Sequence, residues 1–232
     1  MVAMNLAASV MLGLSALTMC VAHPTAATDI TIFHRSAEKT ATFPGCSDKQ
    51  VAVLKKAIDV AVEYQAESWE YFRTRGLSPV HTDDLERFTT WFGKFSLQNY
   101  RIVRDRFKEM SAYPLASWTY KCTNEPDDCG GRIAQFFNIA GSRRDSKGEI
   151  LICKGFWFPN SGSDARNGQT IIHEASHFNS VRGEGTNANL PETYGKGECL
   201  KLAEKHPEQA IHNADNYGFF AQYPDVPHLL SG

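Results

Sequence analysis

Val51, Leu54, Ile58, Val62, Trp69 and Phe72 recur on a three-to-four-residue period and constrain the fold more than any other feature of the chain. That period places them on one side of an α-helix, as a single apolar stripe. Ser47, with Gln50 three positions on, has the makings of a capping box, in which each residue's side chain accepts from the other's free backbone amide. The pattern predicts a long amphipathic helix running to about Arg73. It ends before the stretch RGLSP, where Gly76 and Pro79 break it.

A second helix is expected over Leu97–Met110, with Tyr100, Val103, Phe107 and Met110 on its inner face. Beyond Pro114 the signal shifts to short β-rich segments: Ser117–Cys122, Ile133–Ala140 and Glu149–Phe158. Turn-rich pieces such as NEPDDCGG and GSRRDSKG separate them, which predicts a small antiparallel sheet. Gln169–Asn179 is expected as a partly buried helix. Two more helices follow, Gly195–Lys205 and Pro207–Phe220, the latter opening with proline in its first turn. Helices, then sheet, then helices again make an α+β domain.

The 232 residues, 42% apolar and 22% charged, are enough chain to bury a sizeable core. A net charge of −2 gives no electrostatic case for nucleic acid or an anionic membrane surface as partner. Leu6–Ala22, LAASVMLGLSALTMCVA, is a short apolar run ending in small residues. It reads as a secretory signal peptide over residues 1–22, cleaved near Ala22 or within Thr25–Ala27. A membrane-spanning helix is the alternative, but the run is short and no stop-transfer charges follow it.

Residues 23–44 are then an extended arm, 45–225 the folded domain and 226–232 a short tail. Of the six cysteines, Cys20 goes with the leader, leaving an odd number: Cys46, Cys122, Cys129, Cys153 and Cys199. None sits in a CxxC pair or near a histidine at zinc-finger spacing. Structural disulfides in an oxidising, extracellular compartment are expected, with one thiol left over.

Within Gln169–Phe178, QTIIHEASHF, two histidines bracket a glutamate as HExxH. On a helix the four-residue spacing puts His173 and His177 one turn apart on the same face. Two neutral imidazoles so placed can hold one zinc ion. Glu174, beside the first ligand, can accept the proton of a water attacking a carbonyl, the chemistry this motif serves in metallopeptidases. Two histidines falling by chance on a helix face are the alternative. Ile171 and Ile172 suit a buried active-site helix and favour the metal.

HEASHF, then Gly185-Thr186, then Thr193–Gly195 (TYG) resemble the aspzincin metallopeptidases, whose pattern is HExxH followed by GTxDxxYG. These comprise the deuterolysins and the fungal peptidyl-Lys metalloendopeptidases. GCSDKQ at Gly45, TTWFGKF at Thr89, ILICKGFWF at Ile150 and NADNYGFF at Asn213 extend the likeness from about Gly45 to Gln222, closer to the peptidyl-Lys branch. The resemblance implies a zincin-like single domain with one zinc ion held by His173 and His177, and Glu174 as general base. It also implies that Tyr194 donates a hydrogen bond to the developing oxyanion. Disulfides Cys46–Cys122 and Cys129–Cys153 are implied as well, with Cys199 as the odd thiol.

The chain departs from that pattern at the third ligand, where it reads GTNANLPETYG, with extra residues. Counting forward from Thr186 lands on Ala188 and back from Tyr194 on Pro191, neither a metal ligand. The nearby oxygen donors are Glu192, Asn189 and Glu184. Glu192 is the choice, because carboxylate is a better zinc ligand than carboxamide, with Asn189 second. In the peptidyl-Lys branch two acids of the last helix receive the substrate lysine. Asp215 matches the first, and Gly218 stands where the second is expected.

The expectation is a secreted zinc metalloendopeptidase that cuts protein or peptide substrates on the amino side of lysine. The alternative is a secreted zinc-binding protein without peptidase activity, suggested by the missing aspartate. Glu174 and Tyr194 argue against it, since metal capture alone needs neither.

Overall fold

Ser47 accepts from the Gln50 amide while the Gln50 side chain accepts from the Ser47 amide at 2.8 Å, so the capping box opens α1, Asp48–Arg75. This computed structural model describes residues 40–76, 85–123, 129, 140–142, 148–157, 163–177 and 191–225. The expected leader and tail lie outside the described residues, as do most of Ile133–Ala140 and residues 178–190 with Glu184, Thr186 and Asn189.

α1 buries Leu54, Ile58 and Phe72 of the expected stripe together with Ala57, Ala61 and Tyr71, while Val51, Val62 and Trp69 are half-buried. A short helix absent from the sequence reading, α2 (Glu86–Phe92), follows, and then α3, Leu97–Ala112, capped by Ser96. In α2 the run Phe88, Trp91 and Phe92 is buried, and seven residues were too few for a periodic signal. Phe72 of α1 meets Tyr100 and Phe107 of α3, with ring centroids 5.3 and 5.6 Å apart.

The sheet has strands β1 (Thr119–Cys122), β2 (Ala140–Ser142) and β3 (Glu149–Ile152) in the order β1-β3-β2. It is mixed rather than antiparallel as expected: β1 and β3 are parallel, β2 and β3 antiparallel. β3 sits in the middle, and the unbroken apolar run Ile150, Leu151 and Ile152 is the mark of a strand buried on both faces. The end of the expected arm reaches this sheet, since Thr42 bridges Thr119 in parallel. Cys46–Cys122 ties the start of α1 to the end of β1 across 76 residues, and Cys129–Cys153 closes a second loop. Cys199 is free and buried.

α4, Asp164–Ser176, carries the HExxH stretch and packs mainly between α1 and the last helix. Gly168 permits the approach to α1, because a Cβ there would lie 2.6 Å from Val60 Cγ1. α5 (Lys196–Lys205), α6 (Pro207–Ala210) and α7 (Ala214–Gln222) complete the chain. The single helix expected over Pro207–Phe220 is thus two, broken at residues 211–213. Arg87 of α2 donates to the Phe220 carbonyl at 3.0 and 2.7 Å, satisfying a carbonyl that the end of α7 leaves open. No helix among the described residues is long and apolar enough to cross a membrane.

Candidate metal centre

From Asn167 to Ser176 every residue of α4 is buried, so the helix is a core element that carries His173 within it and His177 as its C-cap. The ring centroids of His173 and His177 are 4.9 Å apart, and their Nε2 atoms face each other at 3.1 Å. Glu192, from the irregular segment ahead of α5, brings Oε1 to 3.0 Å from His177 Nε2 and Oε2 to 4.0 Å from His173 Nε2. Among the described residues these three form a group able to hold a metal ion.

The dimensions fit zinc. A tetrahedral site with bonds of roughly 2.0–2.2 Å separates its ligand atoms by about 3.3–3.5 Å. The Nε2–Nε2 spacing of 3.1 Å and the 3.0 Å from His177 Nε2 to Glu192 Oε1 lie just below that range, and the other oxygen, Oε2, is 4.0 Å from His173 Nε2. Two imidazoles and one carboxylate leave a fourth position for water or substrate, the composition of a catalytic rather than a structural zinc site. Asn189, the second choice, lies outside the described residues.

Glu174 is buried, with Oε1 4.0 Å from His173 Nε2. Tyr194 is largely exposed. Its ring stacks on His173 with centroids 5.9 Å apart, and its hydroxyl donates to Glu192. Burial opposes the charge on Glu192, but His177, Tyr194 and His173 outweigh it and hold the carboxyl down at about 2. The side chain is therefore available as an anion.

Asp215, in the first turn of α7, has partners that the sequence reading did not anticipate. Its Oδ1 lies 2.6 Å from His173 Nδ1 and accepts from Gln169 Nε2 at 3.3 Å. Its Oδ2 accepts from the Gly195 amide at 2.7 Å. At 9% exposure it is a buried carboxylate facing the His173 imidazole. A proton held at Nδ1 leaves Nε2 as the free lone pair. Gly218 packs against the Gln169 side chain, whose Nε2 would lie 2.5 Å from a Cβ at that position.

Asn213 was also missed. It precedes α7 at the N-cap position yet makes no cap hydrogen bond with its side chain. Instead it accepts from the Thr193 amide at 2.8 Å and donates to the Thr193 carbonyl at 2.8 Å. The expected helix Pro207–Phe220 runs straight through it, and no local signal points to the loop it grips.

A family model described as lysine-specific metallo-endopeptidase, the aspzincin model, matches residues 78–222. A peptidyl-Lys metalloendopeptidase of Pleurotus ostreatus is 35% identical, over 78% of this chain and 96% of that one. A protein of the same name from Armillaria mellea is 33% identical over 79% of this chain, which spans 47% of that relative's length. A solved structure of a zinc peptidase from Grifola frondosa superimposes with a TM-score of 0.60 at 28% identity, covering 77% of this chain and 98% of the other.

Proposed function

The chain belongs to the aspzincin family of zinc metalloendopeptidases, and we propose that His173, His177 and Glu192 hold its zinc ion while Glu174 and Tyr194 carry the hydrolysis. The observation that carries this reading is the convergence of two Nε2 atoms and a carboxylate at spacings suited to one tetrahedral zinc.

Zinc, when bound, supplies Lewis acidity to the scissile carbonyl. Glu174, adjacent in sequence to His173 and buried beside it, takes the proton from the attacking water and delivers it to the leaving amine. The Tyr194 hydroxyl is available to turn from Glu192 to the carbonyl oxygen as negative charge develops there. Asp215 keeps His173 in the tautomer that presents Nε2.

We propose cleavage on the amino side of lysine, as the names of the relatives suggest. Discrimination should be looser than two acids would give. Gly218 offers no second carboxylate, and Gln169 fills the adjacent space. Asp215 contributes negative charge, although both of its oxygens are already engaged by protein donors. Secretion is part of the same reading, supported by the apolar leader and the two disulfides.

Incubating the protein with peptides containing lysine, arginine or neither, with and without chelator, tests this reading by mapping the cut sites. Chelator-sensitive cleavage ahead of lysine is expected. Glu174→Gln should lower kcat by about 100- to 10,000-fold while zinc stays bound. Full activity in Glu174→Gln, or zinc content unchanged in Glu192→Ala, would sink the assignment of roles.

A further inference from the structure

We propose that Asn213 is a positioning residue for the metal centre, acting through the backbone of Thr193 to set Glu192 as the third ligand. The inference rests on the metal set assigned above and goes beyond it.

The segment Pro191–Gly195 carries Glu192 and Tyr194 but belongs to no helix or strand. Its backbone groups must still find partners, and they find side chains. Asn213 takes both the amide and the carbonyl of Thr193, each at 2.8 Å, much as a neighbouring strand would. Asp215, two residues on, takes the amide of Gly195 at 2.7 Å. The residues on either side of Thr193 are Glu192 and Tyr194, whose side chains meet each other at the site.

Asn213 is itself anchored. Its Nδ2 donates to Asn216 Oδ1 at 2.7 Å, and Asn216 Nδ2 donates to the carbonyls of Trp91 at 2.6 Å and Cys199 at 3.1 Å. Asn216 is fully buried and Asn213 nearly so. The chain thus leaves the helical path between α6 and α7 at a residue that declines its usual cap bond in order to hold another loop.

The grip fixes register. With Thr193 held at both polar atoms, Glu192 is the residue delivered to the histidines. A slip of one residue would present Pro191, which has no side-chain donor atom, or Thr193, a poor ligand. Asp215 closes the arrangement because the same side chain that takes Gly195 also touches His173. One helix start therefore ties the loop ligand to the helix ligands. Loss of supporting groups of this kind typically costs 10–100-fold in metal affinity.

A double-mutant cycle tests the proposal on the full chain, with zinc affinity read by chelator competition and folding checked by thermal unfolding of the zinc-free protein. Asn213→Ala is expected to weaken zinc binding by about 10- to 100-fold when Glu192 is present. In a Glu192→Ala background it should add less than about twofold, because the ligand it positions is gone. Asn213→Asp, nearly isosteric, loses the donor to the Thr193 carbonyl and should weaken zinc in the same direction if the alanine variant fails to fold. Equal losses in both backgrounds would show a general structural role and overturn the proposal, as would no loss in either. If Glu192→Ala alone leaves zinc affinity unchanged, the ligand set fails first, and the proposal falls with it.

Discussion

The Oδ1 atom of Asp215 lies 2.6 Å from Nδ1 of His173, although 42 residues separate them in the chain. The contact joins the first turn of α7 to the histidine-bearing face of α4, and it places a carboxylate at Nδ1 of the imidazole, on the side away from His177 and Glu192. If His173 is a zinc ligand as proposed, this contact would hold the ring's tautomer and angle and raise the basicity of Nε2.

Replacing Asp215 by asparagine keeps the shape and removes the charge. The expected result is zinc bound about 10–100-fold more weakly, with kcat lowered once zinc is saturating. Titration against a chelator of known affinity measures the first effect. Equal zinc affinity in the variant and the parent would make Asp215 only a packing residue.

The zinc-free protein should lose stability as pH rises. Burial alone would lower the His173 value, but the hydrogen bond to Asp215 and the charges of Glu174, Asp215 and Glu192 overcome it and raise it from 6.5 to about 9. A folded-state value above the unfolded one means that the proton favours the folded form. That stabilisation is fully present below about pH 6.5 and is lost as pH rises through about 9. Zinc competes with the same proton, so the stabilisation gained on adding zinc should grow over this window. Thermal unfolding at pH 6 and pH 9, with chelator and with zinc, checks both signs. In His173→Gln the zinc-free fall should shrink.

Gly168→Ala should destabilise the protein even though alanine is the better helix former. The new methyl would meet Val60 Cγ1 at 2.6 Å and the backbone of Ala61 at 3.3 Å, forcing α4 away from α1. Overpacking of this kind costs about 1–3 kcal/mol. Because the closest atom belongs to a side chain, Val60→Ala should recover part of the loss. Denaturant unfolding of the single and double variants measures it, and a stabilised Gly168→Ala would contradict the packing described.

Cys199 should resist alkylation until the protein unfolds. The thiol is buried beside Asn213, and burial, with the charge of Asp215, pushes its ionisation well above the ordinary range. The reactive thiolate is thereby suppressed. Labelling with iodoacetamide across a urea series should track global unfolding, and rapid labelling in the absence of denaturant would refute the prediction.

Removing the Cys46–Cys122 bridge by serine substitution should cost about 2–5 kcal/mol, because it closes a loop of 76 residues and joins α1 to the sheet edge. A reducing agent should lower the unfolding midpoint of the parent and leave that of the variant closer to unchanged.

The sequence alone determined the parts whose causes are local. The apolar period of α1, the Ser47–Gln50 box and the one-turn spacing of His173 and His177 are properties of residues within a few positions of one another, so they survive reading without a fold. The tertiary structure decided the rest. The parallel pairing of β1 with β3 depends on which strand takes the middle of the sheet, and local turn signals do not carry that information. At the break before α7, Asn213 has extended backbone and its side chain bonds Thr193, twenty positions away in the chain, rather than capping its own helix. The place of Glu192 beside the histidines, and of Asp215 behind one of them, follows from how α4, α7 and an irregular segment pack together. Those contacts are energies between distant residues, and only the folded chain brings them within reach.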